Sequence, residues 1–392
     1  MNLAFVVQRY GAEVAGGSEA HCRAFARRLA AGGHSVTVLT TCARDYVTWE
    51  NAYPPGESRD GSVRVLRFAV RRTRRLKVFA DLSDEVFDGA ASRERQIEWF
   101  RENGPDAPGL LDHLRAEGRS YDLVLFWTFR YAPSFFGVPI VADRAVLLPT
   151  AEEDAAVFLD VLEDYFRAPA GYLFLTPEEE ALVTTRAGCP LRPAAIVGIG
   201  IDPATAPDGR DLLQARGIPD DYLLYLGRVD RNKGCHMLLE YFQAYRGAGE
   251  PLPLVLAGPT KLQIPDDPRI LALGYVSDAL RRALLARATV LVVPSPYESL
   301  SIVLLEAWNH GVPALVNAKC KVLDGQVRRA NGGLTFRTCG EFAEALDYLL
   351  SRPSERAALG RQGLAFVERE YRWPIVLERT EALLTEVRAR RP

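Results

Sequence analysis

Short apolar runs alternate with longer stretches of helical periodicity from one end of the chain to the other. Runs at Leu3–Val7, Ser35–Thr40, Val63–Phe68, Leu123–Trp127, Ala145–Leu148 and Tyr172–Leu175 predict strands in the first half. Those at Tyr222–Leu226, Leu254–Ala257, Ile270–Leu273, Val290–Val293 and Ala314–Val316 predict strands in the second. A strand that is apolar at consecutive positions is buried on both faces, the mark of a parallel sheet covered by helices. The segments between the runs are long enough for crossover helices, so each half reads as a doubly wound α/β domain.

The periodicity breaks at Gly198–Gly209, GIGIDPATAPDG, where Gly, Pro and Asp cluster. The break divides the chain into an N-terminal domain, 1–198, and a C-terminal domain, 199–371. Two domains of this size suit a chain of 392 residues and imply a cleft between them. A second break at Tyr371–Pro374 precedes a final helix-like run, Ile375–Arg390, so 372–392 is expected to pack back on the first domain.

Composition narrows the function classes. With 48% hydrophobic and 25% charged residues the chain is a globular protein with sizeable cores. A net charge of -2 gives no global reason to bind nucleic acid. The six cysteines lack C-x-x-C spacing, which argues against zinc and a disulfide framework and makes a reducing cytoplasm the expected location. MNLAFVVQRY reads as a first buried strand, not a leader, and no apolar stretch approaches the roughly 20 residues of a membrane span.

Three constellations carry candidate chemistry. Gly16-Gly17-Ser18-Glu19 follows the first strand and precedes an amphipathic run, Ala20–Ala31. Backbone N–H groups there face an anion such as a diphosphate, with Ser18 as a helix cap; alternatively the glycines only make the turn. G-x-G-x-x-G spacing is not met, which argues against a dehydrogenase. Tyr225-Leu226-Gly227-Arg228 and Asn232-Lys233-Gly234 place a guanidinium and an ammonium at the carboxyl edge of the second sheet, where ligands of such sheets sit. Two such cations suit neighbouring phosphates, although single Arg and Lys residues in loops are commonly just solvated.

The third constellation is Val293-Pro294-Ser295-Pro296-Tyr297-Glu298-Ser299-Leu300-Ser301, running into Ile302–Trp308. Were the segment fully helical, Glu298 and Glu306 would lie about 12 Å apart along its axis, roughly the span from a donor sugar to its ribose. The amides between them would meet the diphosphate. The plainer reading makes Glu298 a helix N-terminal acid and Glu306 an ordinary helical residue. Against it, an unpaired Glu306 carboxylate inside an apolar stretch is costly.

GGSE, LGR with K-G five residues on, G-x-V-x-D at Gly274–Asp278, and PSPYESLSIVLLEAWNHGVP together resemble the retaining glycosyltransferases of family 4, which have the GT-B fold. The resemblance covers most of the chain in the right order. It implies that Arg228 and Lys233 bind the donor diphosphate and stabilise the leaving group. By the same resemblance Glu298 contacts donor-sugar hydroxyls, and with Arg228 and Lys233 forms the catalytic set, while Glu306 holds the ribose. Ser299, Leu300, Ser301, Gly16 and Gly17 match phosphate-binding backbone, and Tyr275 and Val276 lie in the loop that lines the base pocket. The nucleotide is expected on the C-terminal domain and the acceptor on the N-terminal one, opposite it across the cleft. A UDP- or GDP-linked sugar is the expected co-substrate and no further cofactor is implied. The absence of D-x-D accords with a metal-independent reaction. The acceptor is a small molecule, a lipid-linked molecule or a glycan, in cell-envelope, glycolipid or secondary-metabolite synthesis.

One departure concerns the first domain. Where relatives carry a histidine near the donor sugar, this chain reads Phe126–Tyr131 and Pro149–Asp154, and neither contains His; Glu152 stands at the histidine's place. Glu152 and Arg130 are therefore candidate acceptor-side residues, with the acidic run Glu152–Asp154 either accepting hydrogen bonds from a polyhydroxyl or cationic acceptor or forming a solvated loop. His21 either faces the cleft or lies on a helix surface. The basic run Arg71, Arg72, Arg74, Arg75 and Lys77 is either a solvated loop or a contact for anionic lipid headgroups, which would make the protein peripheral to a membrane. A nucleotide-sugar epimerase, a phosphorylase and a catalytically weakened nucleotide-sugar binder are the competing functions.

Overall fold

The computed structural model describes residues 1–14, 16–89, 91–205, 209–245 and 252–390. Residues 206–208 of the predicted interruption, and 391–392 of the predicted tail, lie outside them. The chain divides into two compact units, Met1–Gly198 with Leu377–Pro392, and Ile199–Val376.

In the first unit the strands are β1 (Asn2–Val6), β2 (Ser35–Thr41), β3 (Gly56–Asp60), β4 (Val63–Phe68), β5 (Leu123–Trp127), β6 (Ala145–Leu148), β7 (Gly171–Phe174) and β8 (Ala194–Ile196). They form one sheet in the order β3-β4-β2-β1-β5-β6-β7-β8. The apolar runs β1, β5 and β6 are buried almost throughout, as strands covered on both faces must be. This sheet is not wholly parallel. β3, GESRD, pairs antiparallel with β4 and is largely exposed, so it has no apolar signature to find. β8 was also invisible in the apolar pattern, because three half-buried residues set no period.

The second unit holds β9 (Leu223–Leu226), β10 (Leu254–Ala257), β11 (Ile270–Gly274), β12 (Val290–Val293), β13 (Ala314–Asn317) and β14 (Gly333–Phe336). All pairings are parallel and the order is β11-β10-β9-β12-β13-β14. The chain runs outward from β9 to β11 on one side, then returns to add β12 to β14 on the other. The carboxyl ends of β9 and β12 therefore flank a topological switch point, the place where doubly wound sheets open a crevice for ligand. In the first unit the corresponding reversal lies between β1 and β5.

Helix boundaries matter at the switch point. The helix after β12 is Ile302–Asn309, so Glu298–Ser301 is not helical, and Glu298 and Glu306 are not related by a continuous helical rise. Two prolines, Pro294 and Pro296, stand between the strand and the helix, and neither has a backbone N–H to continue a ladder. The last helix, Trp373–Ala389, begins in the second unit and contributes from Leu377 onward to the first, where Val387 packs on Gly171. Among the described residues no helix is long and apolar enough to cross a membrane.

Candidate functional site

The second unit builds its carboxyl edge by bringing backbones into contact. Gly258, after β10, has φ +142, and a Cβ there would lie 1.9 Å from the carbonyl oxygen of Gly227, after β9. Only glycine permits that approach. Beyond it, the Tyr225 hydroxyl donates to the Arg228 carbonyl at 2.6 Å, fixing the main chain that carries the guanidinium. Buried Asp230 then organises the loop: its Oδ1 accepts from the Lys233 backbone N–H at 2.9 Å, and its Oδ2 stands 3.5 Å from Arg228 Nε.

Gly234 closes this loop with φ +72, and a Cβ on it would meet the Pro294 carbonyl oxygen at 2.3 Å. That carbonyl accepts from Asn317 Nδ2, at the end of β13, at 3.0 Å. The loops after β9, β12 and β13 are thereby joined, and the result is the central contact of the site. Lys233 Nζ donates to Glu298 Oε1 at 2.8 Å, with both side chains largely shielded from solvent. The sequence placed a cation after one strand and a carboxylate after another; the switch topology puts them in direct contact. Arg228 stays partly exposed and is linked to this loop through Asp230.

The rest of the Glu298–Glu306 segment differs from expectation. The Ser301 N–H donates to Gln326 Oε1 at 3.2 Å, so this amide already has an acceptor within the protein. Ser299 is half-buried and Leu300 is buried. Glu306 is not an unpaired carboxylate among apolar residues. Its Oε2 accepts from the Arg281 guanidinium, carried by the helix Asp278–Arg287. Ser277 caps that helix, accepting from the Leu280 N–H at 3.3 Å, which gives the G-x-V-x-D segment a structural job. Just before it, Val276 is buried and Tyr275 is 81% exposed on a loop that Gly274 turns with φ +64.

In the first unit, Gly16 and Gly17 are exposed at the start of the helix Gly17–Ala31. A Cβ on Gly16 would fall 2.1 Å from Glu19 Oε2, so the glycine is required by the carboxylate packed against it as well as by the turn. Glu19 is buried, accepting from Gln8 Nε2 at 2.9 Å and pairing with Arg9 at 2.5 Å. Ser18 does not cap the helix: its Oγ is buried without a hydrogen-bond partner. His21 is neither on the surface nor open to solvent. It is 3% exposed, edge-on to Phe25 at 4.7 Å, and its Nδ1 accepts from Trp127 Nε1 at 3.4 Å. Burial pushes its imidazole down to about 3.

At the ends of β5 and β6, Thr128 and Thr150 hold φ of +61 and +48, a left-handed conformation costly for a branched side chain. Arg130, just beyond, pairs with Asp154 at 2.6 Å. Burial lowers the Arg130 pKa, but Asp154 and the nearby Glu152 outweigh it and hold the guanidinium charged. The acidic run is thus partly neutralised and not simply a solvated loop. Beneath it lies a buried carboxyl that sequence reasoning passed over. Glu179 accepts from the Ala151 N–H through Oε1 and the Leu175 N–H through Oε2, both at 2.6 Å. Burial raises it to about 8. The sequence signal was available: Thr176-Pro177-Glu178-Glu179 has capping-box spacing, with Thr176 Oγ1 accepting from the Glu179 N–H at 3.2 Å.

The basic run is built into the fold. Arg71 pairs with Asp106 at 2.5 Å; Arg72 and Arg75 converge on buried Glu102. Arg74 donates to the carbonyls of Asn103 and Tyr46 and stacks between Trp49 and Phe79. Arg71, Arg72, Arg75 and Lys77 remain exposed to solvent, so the run is a solvated segment whose arginines are anchored by carboxylates and carbonyls of the fold.

Comparison with known proteins gives these arrangements a context. Residues 220–352 match the family model Glycosyl transferases group 1. The capsular polysaccharide biosynthesis glycosyltransferase CapM of Staphylococcus aureus is 24% identical over 178 residues, 42% of this chain and 46% of that protein. The match thus spans about half the length of that curated relative. Sucrose-phosphate synthase from Thermosynechococcus elongatus superposes with a TM-score of 0.73 at 18% identity, covering 99% of this chain and 100% of that one. Anabaena HepE, solved in complex with UDP and glucose, gives 0.70 at 16% identity, covering 98% and 100%. These whole-chain likenesses show the GT-B fold.

Proposed function

We propose that the chain is a retaining glycosyltransferase that moves a hexose-type sugar from a UDP- or GDP-linked donor to an acceptor hydroxyl. The observation that carries this reading is the Lys233–Glu298 contact, at the switch point of the second sheet and made from the loop that also carries Arg228. A carboxylate for sugar hydroxyls held against a cation for phosphate fits a ligand that has both groups. The match to Glycosyl transferases group 1 over this segment, the glycosyltransferase CapM and the UDP complex of HepE support it.

The chemistry follows from the charges. The bond from the sugar's anomeric carbon to the diphosphate oxygen breaks, and Arg228 and Lys233 take up the negative charge that develops there, replacing the general acid a glycosidase needs. The acceptor oxygen bonds to that carbon on the face the diphosphate leaves, and its proton passes to a diphosphate oxygen. Lys233 has three N–H donors, so it can keep one on Glu298 and turn the others to phosphate. Glu298 orients the sugar, Glu306 the ribose, and Tyr275 and Val276 the base; the backbone at Ser299 and Leu300 meets the diphosphate, a role the family resemblance also gives to Gly16 and Gly17. Arg130 and Glu152 are the acceptor-side residues in this reading. His21, buried and neutral, is not among them. CapM and the sugar-phosphate synthase leave the acceptor class open between glycan, lipid-linked and small-molecule hydroxyls.

A second reading, a nucleotide-sugar binder with weakened catalysis, draws on the absence of a histidine from Phe126–Tyr131 and Pro149–Asp154. Incubation with a panel of UDP- and GDP-sugars, following nucleoside diphosphate release with and without acceptor, separates the two. Acceptor-dependent release supports transfer. Tight nucleotide binding without turnover supports the binder, and epimer formation without acceptor would refute both.

A further inference from the structure

The Arg281–Glu306 ion pair joins two helices that come from different crossovers. Glu306 sits in IVLLEAWN, where Leu304, Leu305, Ala307 and Trp308 are buried, so its carboxylate has an apolar setting on its own helix. Arg281 reaches it from the helix before β12, with Asp278 three residues earlier adding a further negative charge beside the guanidinium. His310, one turn past Glu306, faces the same guanidinium. Burial and then the Arg281 charge hold its imidazole below the ordinary value, so near neutral pH it adds no second cation. Among the described residues Arg281 is therefore the cation that answers Glu306, and it does so through Oε2, which leaves Oε1 to meet another donor.

We propose that Arg281 is a positioning residue for nucleotide recognition, fixing the Glu306 carboxylate so that Oε1 accepts from a hydroxyl of the donor's ribose. The inference rests on the ribose role given to Glu306 above. Two physical effects support it. A guanidinium bonded to one carboxylate oxygen removes the side chain's freedom to turn away, so less ordering is lost when the ligand arrives. A carboxylate acceptor, moreover, makes a stronger hydrogen bond to a hydroxyl than a neutral acceptor does. Arg281 thus sets how strongly the chain distinguishes a ribonucleotide from a deoxyribonucleotide, without touching the nucleotide.

The test is calorimetric titration of the full chain with UDP and GDP, their 2′-deoxy and 3′-deoxy forms, and inorganic pyrophosphate. The unsubstituted chain is expected to bind its preferred diphosphate about tenfold more tightly than one of the deoxy forms, the size of one hydrogen bond to a charged group. Arg281→Met should weaken the ribonucleotide about tenfold, to near the deoxy level, while the deoxy form and pyrophosphate bind as before. Arg281→Lys should recover part of the discrimination, and it carries the test if Arg281→Met does not fold. Equal weakening of ribo and deoxy forms, or full discrimination retained in Arg281→Met and Arg281→Lys, would overturn the inference. Glu306→Gln separates the two layers. If it abolishes discrimination while the Arg281 variants keep it, only the role of Arg281 falls; if it too keeps discrimination, the ribose role of Glu306 falls with it.

Discussion

Replacing Gly234 with alanine tests whether close backbone contact builds the site. Gly234 has φ +72, and the new Cβ would lie 2.3 Å from the Pro294 carbonyl oxygen. The left-handed conformation costs an L-residue about 1–2 kcal/mol. The overlap adds about 1–3 kcal/mol, the typical cost of overpacking a filled interior. The carbonyl is poorly free to yield, because Asn317 Nδ2 holds it at 3.0 Å. Gly311 provides the internal control: its φ is also +72, yet a Cβ there meets nothing within 4 Å. Gly311→Ala should therefore lose only the conformational part, and Gly234→Ala both parts, about 2–5 kcal/mol in all. Urea unfolding of the two variants and the parent measures the difference directly. Nucleotide titration gives the functional half, since relief of the overlap displaces Lys233, the cation this reading places on the diphosphate, from Glu298. Equal destabilisation by the two substitutions, with unchanged nucleotide affinity, would refute the reasoning.

Further outcomes follow from other contacts. Lys233→Ala and Glu298→Ala should each remove most transferase activity while circular dichroism stays that of the parent; full activity in both would remove the assigned site. His21 is held at about 3 by burial, below the ordinary imidazole value of 6.5, so the unfolded chain takes up a proton that the folded chain refuses. Its contribution to stability is thus complete above pH 6.5 and declines as pH falls toward 3; His21→Phe should flatten that part of a stability–pH curve. Glu179 has the opposite sign: raised to about 8 from 4.5, it favours the folded state in acid and progressively less as pH rises between those values. Glu179→Gln should remove that slope and lose about 1–3 kcal/mol, because one of the Ala151 and Leu175 N–H groups would then face an NH₂ group. A variant as stable as the parent, with the slope intact, would show that the carboxyl does not hold the loop.

Much of the architecture was written in the apolar pattern, because strands covered on both faces carry it at consecutive positions. β4, β5, β6, β10 and β12 have the predicted bounds, and β1, β2, β7, β9, β11 and β13 differ by a residue or so at their ends. What escaped was structure held by other means: β3 by cross-strand hydrogen bonds and charge, β8 and β14 by neighbours alone. The candidate site divides the same way. Arg228, Lys233, Glu298 and Glu306 stood out as charges after strands or within an apolar helix. Of their partners, Asp230 lies in the same loop as Arg228 and Lys233 and carried no mark of its own, while Arg281 did not stand out because its match to Glu306 is made between separate elements and depends on how crossovers are placed. For His21 the signal existed but was not used: it lies four residues before Phe25, on the buried face that also carries Cys22 and Leu29. The anchors of the arginine run were hidden for a related reason, as nothing local announces that Glu102 and Asp106 lie opposite it.

The inconspicuous strand β3 bears on how the chain survives its own folding. An unpaired strand edge is a template on which another molecule can add itself. Here the outermost strand is only five residues long and carries Glu57, Arg59 and Asp60. Asp60 is tied back to Arg23 at 2.7 Å and to the Tyr10 hydroxyl at 3.0 Å, so the edge cannot easily peel from the helix Gly17–Ala31. A short, charged and tethered margin gives an incoming chain little to pair with. The strand that the hydrophobic pattern could not reveal is thus the one suited to keep the apolar strands behind it from aggregating.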